Sequence, residues 1–367
     1  MAEERTPLDA EIRRRIARDG PMSISTFMTL CLYDPEHGYY PQRDPLGVTG
    51  DFVTAPEISQ MFGELIGLWA VEVWREMGSP EPIQIIELGP GRGTMMHDML
   101  RAANVIADFR KTLQVHLVET SPLLRERQQQ TFSKLEVAVS WHDALAEIPE
   151  GPSIIVANEF FDALPVNQTV KQSDGWHERV VGVNDDDNLA FGIGPAPLKF
   201  FEQTVPPQVR MAEVGSIYEW RADAQVLEIG RRVVRGGGGA LIIDYGHLDS
   251  MVGDTFQALR GQRKASPLAA PGNADVTAHV DFQALAAAAE SIGARIHGPI
   301  EQAMLLRRLG IEQRATNLKK VAPPDKAQAV DIAFGRLTAG GSVGMGNMFK
   351  AIGLSTPRIA SLPGFEV

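Results

Sequence analysis

The sequence predicts an α/β fold, a largely parallel sheet covered by helices on both faces. Short apolar runs at 83–88, 113–118, 135–140 and 153–157 recur with a helical segment between each and the next, the rhythm of βαβ units. A glycine-rich turn, Gly89 to Gly93, directly follows the first run and opens a helix, as ligand-binding turns of such sheets do. A further apolar run at 240–244 supplies another buried strand.

Taken in order, residues 7–18 read as a helix capped by Thr6, with Pro7 in its first turn and Leu8, Ile12 and Ile16 on one face. Gly20-Pro21 stops it, and Ser23 can cap a second helix. Residues 34–55 are dense in turn formers without periodicity. A loop this long inside a domain is usually functional, and its three aromatics and Gly50-Asp51-Phe52 mark a binding loop. From Pro56 an amphipathic helix carries Ile58, Met61, Phe62, Leu65, Trp69 and Val73, and Gly78 ends it. Residues 166–204 read as an antiparallel hairpin insertion with an acidic tip at Asp185-Asp186-Asp187. A helical pattern spans 208–234, a second long loop 245–278, and a helix 281–291. Residues 294–300 and 343–353 are late strands. The expected organisation is a helical and loop extension over 1–80, acting as a lid. It precedes a core over 81–367 with insertions at about 166–220 and 245–280.

Composition narrows the class. The 367 residues are 44% hydrophobic and 22% charged, ordinary for a globular protein, while 35 glycines and 24 prolines predict long structured loops. With 46 acidic against 35 basic side chains the formal charge is −11, which repels phosphate backbones and argues against a nucleic-acid partner. The single cysteine, Cys31, cannot form an internal disulfide and lies in an apolar stretch, so a buried hydrophobe is expected. No run approaches a membrane span, and the acidic start resembles neither a signal nor a transit peptide, so the expected location is cytoplasmic.

Chemistry concentrates at the strand ends. In Glu87-Leu88-Gly89-Pro90-Gly91-Arg92-Gly93-Thr94 the glycines spell G-x-G-x-G, not the G-x-G-x-x-G of dinucleotide sites. That spacing suits S-adenosylmethionine, which has no pyrophosphate to seat on the helix N-terminus. Strand two ends in Glu119, a carboxylate able to accept both hydroxyls of a ribose. Strand three ends in Trp141-His142-Asp143, an aromatic face and a carboxylate fit for an adenine. Strand four ends in Asn158-Glu159-Phe160-Phe161-Asp162. Ligands of open α/β sheets bind outside the carboxyl ends of strands, where all four motifs fall.

Three other patterns carry no chemistry. Gly340 to Gly344 matches a G-x-S-x-G nucleophile elbow, but no histidine follows Ser342 to complete the expected order. The eight histidines form no H-x-x-x-H pair, so no metal site is expected. Met95, Met96 and Met99 share a helix face and read as core.

The segments Gly50 to Glu57, Glu87 to Thr94, Asn158 to Pro165 and Thr277 to Phe282 resemble the MidA family, over about residues 23–353. These are class I S-adenosylmethionine-dependent methyltransferases whose mitochondrial members are implicated in respiratory complex I assembly. The resemblance implies a seven-stranded Rossmann-like sheet with an antiparallel last strand, and a mitochondrial-matrix location for eukaryotic members. It also implies methylation of an arginine in a complex I core subunit, giving symmetric dimethylarginine. Glu87, Gly89, Pro90, Gly91, Arg92, Gly93, Glu119, Asp143 and Asn158 would then line the cofactor site. An arginine acceptor stays protonated, and carboxylates can grip its planar fork. Glu159 and Asp162 are the best-placed pair, with Asp51 and Asp281 as second choices. Other acceptors, small-molecule or protein, remain open at this point, as does a non-catalytic assembly factor that binds the same cofactor.

Overall fold

The computed structural model describes residues 5–42, 54–261, 263–341 and 344–366. They fall into two compact units, each discontinuous in sequence. The core unit takes the described parts of 53–161, 223–248 and 282–367, and the second unit those of 1–52, 162–222 and 249–281.

The core unit is built on seven strands: β1 (Ile83–Leu88), β2 (Leu113–Val118), β3 (Val139–His142), β4 (Ser153–Asn158), β5 (Gly238–His247), β6 (Arg295–Glu301) and β7 (Phe349–Ser355). Their hydrogen-bonded order is β6-β7-β5-β4-β1-β2-β3. Strands β1 to β5 pair in parallel, and β7 runs antiparallel to both β5 and β6. Every residue of β1 and β4 is buried, the polar Gln84 and Glu87 of β1 included, which explains why neither reads as a simple apolar–polar alternation. The order reverses between β1 and β4, so the crevice for a ligand opens at their carboxyl ends.

Among the helices that flank this sheet are α1 (Gln60–Glu76), α2 (Thr94–Ala103), α3 (Pro122–Phe132), α4 (Ala224–Gly236) and α5 (Phe282–Ser291). The expected helix from Pro56 is divided: Ala55–Ile58 forms one turn, and Ser59 turns extended to cap α1 through the Met61 amide. Helix α1 belongs to the core unit. The cause is packing: Phe62, Leu65, Trp69 and Val73 are buried in the cluster that also holds Ile85, Met99 and Leu117. Three methionines of α2 lie in that same cluster, as expected of core residues.

In the second unit Thr6 and Ser23 cap the helices Pro7–Asp19 and Ile24–Tyr33 as their sequence predicts. Cys31 is fully buried among Phe27, Tyr39 and Val276, and burial pushes its thiol up to about 12. The hairpin insertion is realised as three antiparallel strands, Val166–Gln172, Gly175–Val183 and Leu189–Pro197. Two expectations fail. The helix over 208–234 is interrupted by a strand, Ile217–Arg221, which pairs with Val166–Val170 because its alternating Tyr218 and Trp220 suit a pleated surface. The long loop at 245–278 contains a small antiparallel sheet of Gln257–Arg260, Arg263–Ala265 and Asp275–Thr277. Among the described residues no helix is long and apolar enough to cross a membrane.

Candidate active site

The glycine turn leaves β1 with Gly89, Gly91 and Gly93 all in the left-handed region, at φ of 63°, 54° and 78°. A Cβ on Gly89 would stand 2.9 Å from the Phe160 ring, and one on Gly93 2.9 Å from the Phe132 ring. The turn is closed by Gly93 N–H donating to the Pro90 carbonyl at 2.7 Å and anchored by Gly89 N–H to Val118 at 3.1 Å. Gly89 is exposed while Pro90 and Gly93 are buried, so one side of the turn is open and the other is packed inward. Thr94 Oγ1 hydrogen-bonds Glu57, which ties the segment after the first long loop to the start of α2.

Behind the turn stands Glu87, buried, with Oε2 lacking a hydrogen-bond partner among the described residues. Burial pushes its carboxyl up to about 8, opposed by the Met96 amide and helped by the nearby Glu119. A buried acceptor with no donor is costly, and a ligand carrying an ammonium group would relieve it. The Oδ1 of Asn158 at the end of β4 is likewise buried without a partner, while its Nδ2 donates to Glu159 at 3.1 Å. These unpaired atoms and the glycine cradle fit the amino-acid end of S-adenosylmethionine.

Glu119 follows β2, its amide donating to the His142 carbonyl at 3.0 Å. Its Oε1 accepts from Ser121 N–H at 2.8 Å and its Oε2 from Gln128 Nε2 at 3.3 Å. Burial raises its pKa against those donors. Asp143, one residue beyond β3, is exposed and accepts from Arg125 Nη2 at 2.6 Å. Trp141 does not offer its face as an adenine platform: its indole packs against the core cluster and donates to Gln128 Oε1 at 2.7 Å. Alternation along β3 sends it to the side that α3 covers.

Glu159 sits at φ 51°, a left-handed conformation costly for a non-glycine residue and characteristic of functional turns. Its Oε1 accepts from the Ala55 amide and from Asn158 Nδ2, both at 3.1 Å, so the carboxylate is fixed rather than swinging in solvent. Fully buried Asp244 on β5 shapes the same turn, its Oδ2 accepting from the amides of Phe160 and Phe161 at 3.1 and 2.9 Å. Sequence reasoning read Asp244 only as part of a strand, and Gln128 not at all.

Asp162 belongs to the second unit, where it is buried. Its carbonyl accepts from Ala278 N–H at 3.2 Å, which joins the segments 162–165 and 277–281 within this unit. Arg221 clamps both, donating to the carbonyls of Asp162, Leu164, Ala278 and His279 at 2.6–3.2 Å. Arg221 went unnoticed in the sequence, since nothing local distinguishes it from other arginines. Asp51 lies outside the described residues, as does Ser342.

The chain matches the model of a family of S-adenosyl-L-methionine-dependent methyltransferases over residues 65–300. A relative from Drosophila melanogaster, named protein arginine methyltransferase NDUFAF7 homolog, mitochondrial, is 35% identical over 95% of this chain and 84% of its own. The Homo sapiens protein arginine methyltransferase NDUFAF7, mitochondrial, is 36% identical over 84% of this chain and 74% of its own. A crystal structure from Burkholderia thailandensis, bound to S-adenosyl-homocysteine, superposes with a TM-score of 0.83 at 29% identity. It covers 98% of this chain and 94% of that one.

Proposed function

The chain belongs to the S-adenosyl-L-methionine-dependent methyltransferase family, and on that premise we propose that its methyl acceptor is an arginine side chain of a protein partner. The observation that carries this reading is the identity, over most of the chain, to relatives named protein arginine methyltransferases. The partner proposed is a core subunit of respiratory complex I, the acceptor implied by the family resemblance. The named relatives are mitochondrial, so the compartment proposed is the cytoplasm of a bacterium or the matrix of a mitochondrion.

The cofactor supplies an electrophilic methyl group on a sulfonium. The protein's task is then to position the acceptor nitrogen, since an in-line displacement needs little else. Gly89 to Gly93 would admit the cofactor's close approach, Glu87 and Asn158 would take its amino-acid end, and Glu119 and Asp143 its ribose and adenine. Arg92 contributes its backbone to that turn. Glu159 would grip the acceptor guanidinium, with Asp162 and Asp51 as further carboxylates that the sequence proposes for that role. A carboxylate on the guanidinium holds positive charge on the nitrogens it contacts and takes the proton that leaves the methylated nitrogen. The support for Glu159 is its position after β4 at the strand-order reversal and its fixed, strained conformation.

Incubating the protein with methyl-labelled cofactor and complex I core subunits should place label on one arginine, located by mass spectrometry. Glu159→Gln should lower transfer at least about 100-fold, in line with loss of a fixed polar group at a reacting centre. Its cofactor affinity should change less than about tenfold, since its link to the cofactor residues is the Asn158 hydrogen bond, worth about 1 kcal/mol. Label in small molecules alone, or undiminished activity of that variant, would refute the acceptor and the residue respectively.

A further inference from the structure

One face of α3 is devoted to the glycine turn. Gln128, Thr131 and Phe132, at helical spacing i, i+3, i+4, all touch it. Gln128 Nε2 donates to the Gly91 carbonyl at 2.7 Å, and Thr131 Oγ1 to the Arg92 carbonyl at 2.9 Å. The Phe132 ring closes over the Cα of Gly93 so tightly that no Cβ fits there.

Gln128 does more than brace the turn. It is wholly buried, and each polar atom of its amide is used: Nε2 also reaches Glu119 Oε2 at 3.3 Å, and Oε1 accepts from Trp141 Nε1 at 2.7 Å. The amide's orientation follows from chemistry. Two acceptors face Nε2 and one indole donor faces Oε1, so the flipped amide would set oxygen against oxygen. With Ser121 N–H on Oε1, the Glu119 carboxylate is held at both oxygens from the protein side. The plane of the carboxylate is thereby set by the protein before a ligand arrives.

We propose that Gln128 is a positioning residue for ribose recognition: it fixes the plane of Glu119 so that both oxygens meet vicinal hydroxyls, and locks that carboxylate in register with the glycine turn. The proposal rests on Glu119 being the ribose acceptor. No other side chain of this size replaces it. Glutamate would put a carboxylate beside a carboxylate, while methionine would leave the Gly91 carbonyl and the Trp141 N–H unpaired.

The test measures dissociation constants by calorimetry for S-adenosyl-homocysteine and its 2′-deoxy analogue, on wild type, Gln128→Met, Gln128→Glu and Glu119→Gln. Wild type should prefer the hydroxylated ligand by about 10- to 100-fold, as expected for a hydrogen bond to a charged acceptor. In Gln128→Met that preference should fall below about threefold, because a swinging carboxylate no longer rewards the hydroxyl. A merely structural role would weaken both ligands alike and leave the ratio intact, so an unchanged ratio overturns the proposal. Gln128→Glu supplies the second arm. Its ratio should be lost at pH 8 and recover toward pH 5.5, as the introduced carboxyl is protonated and again donates to Glu119. A ratio equal to wild type throughout also overturns it. Glu119→Gln separates the premises. If it retains the wild-type preference, the ribose reading falls; if it loses the preference while Gln128→Met keeps it, only the role of Gln128 falls.

Discussion

At the scale of single residues, Glu87 is where burial, charge and ligand chemistry meet. Its folded pKa, pushed to about 8 by burial, lies above the ordinary carboxyl value of 4.5. The folded protein therefore holds this proton more tightly than the unfolded chain. The stability it contributes is fully present below pH 4.5, is lost as pH rises, and is gone above about 8. The slope in that window is about 1.4 kcal/mol per pH unit for one proton. A cofactor ammonium pairs with the carboxylate form, so binding should release a proton at neutral pH and tighten by up to about tenfold per unit until pH 8. Calorimetry in buffers of different ionisation enthalpy measures that proton directly. Glu87→Gln should melt higher than wild type without ligand at pH 8 and show cofactor binding that is weak and flat with pH; a wild-type pH slope in the variant would remove Glu87 from the cofactor site. Glu87 was legible in the sequence because it stands beside a glycine turn. Gln128 was not, since it sits in the polar run Arg125-Glu126-Arg127-Gln128-Gln129-Gln130, where only tertiary packing distinguishes one glutamine from its neighbours.

Among elements, the close pair is α1 and α2. A Cβ on Gly63 would stand 2.7 Å from Asp98 Cβ, and one on Gly67 only 2.5 Å from the Met99 carbonyl oxygen. The two glycines, one turn apart, let the helix backbones approach over the buried face that carries the glycine turn. Gly67→Ala meets backbone and cannot be relieved by a rotamer change, so it should destabilise by about 1–3 kcal/mol as other overpacked cores do. Helix propensity alone favours alanine by about 1 kcal/mol. A rise in melting temperature would therefore show that propensity wins and that the helices give way at no cost. The glycines were readable as letters but not as a contact, because a single sequence does not show which helix faces which. The same limit explains the misread strand Ile217–Arg221. Its Val209-to-Val233 surroundings hold a helical period on either side, and only its pairing with Val166–Val170 selects the strand. Strands β4 and β5 were legible because burial on both faces leaves an apolar run that no exposed element imitates.

For the whole molecule, the formal charge of −11 first excluded polyanions and then acquired a positive use. The proposed acceptor is a cation on a protein surface, and an acid-rich enzyme draws such a surface in over distances comparable to the Debye length, about 10 Å at 0.1 M salt. Attraction of this kind acts on encounter more than on the bound complex. For a basic, arginine-bearing acceptor peptide, kcat/KM should therefore fall about tenfold or more between about 20 and about 300 mM salt, while kcat stays nearly constant. Cofactor affinity should respond less over the same range, since the ligand is small and its partners Glu87 and Glu119 are buried beyond the reach of screening ions. Steady-state kinetics at fixed saturating cofactor separates the two. A salt-independent kcat/KM would mean that the acidic excess serves solubility alone and that recognition is confined to the fixed carboxylates. A parallel fall in kcat would point to a charge-dependent step after binding, contrary to steering. The expected split follows from the architecture: Glu87 and Glu119, proposed to hold the cofactor, are buried at the strand ends, whereas Asp185 and Asp186 at the hairpin tip are exposed and face the ions that screen them.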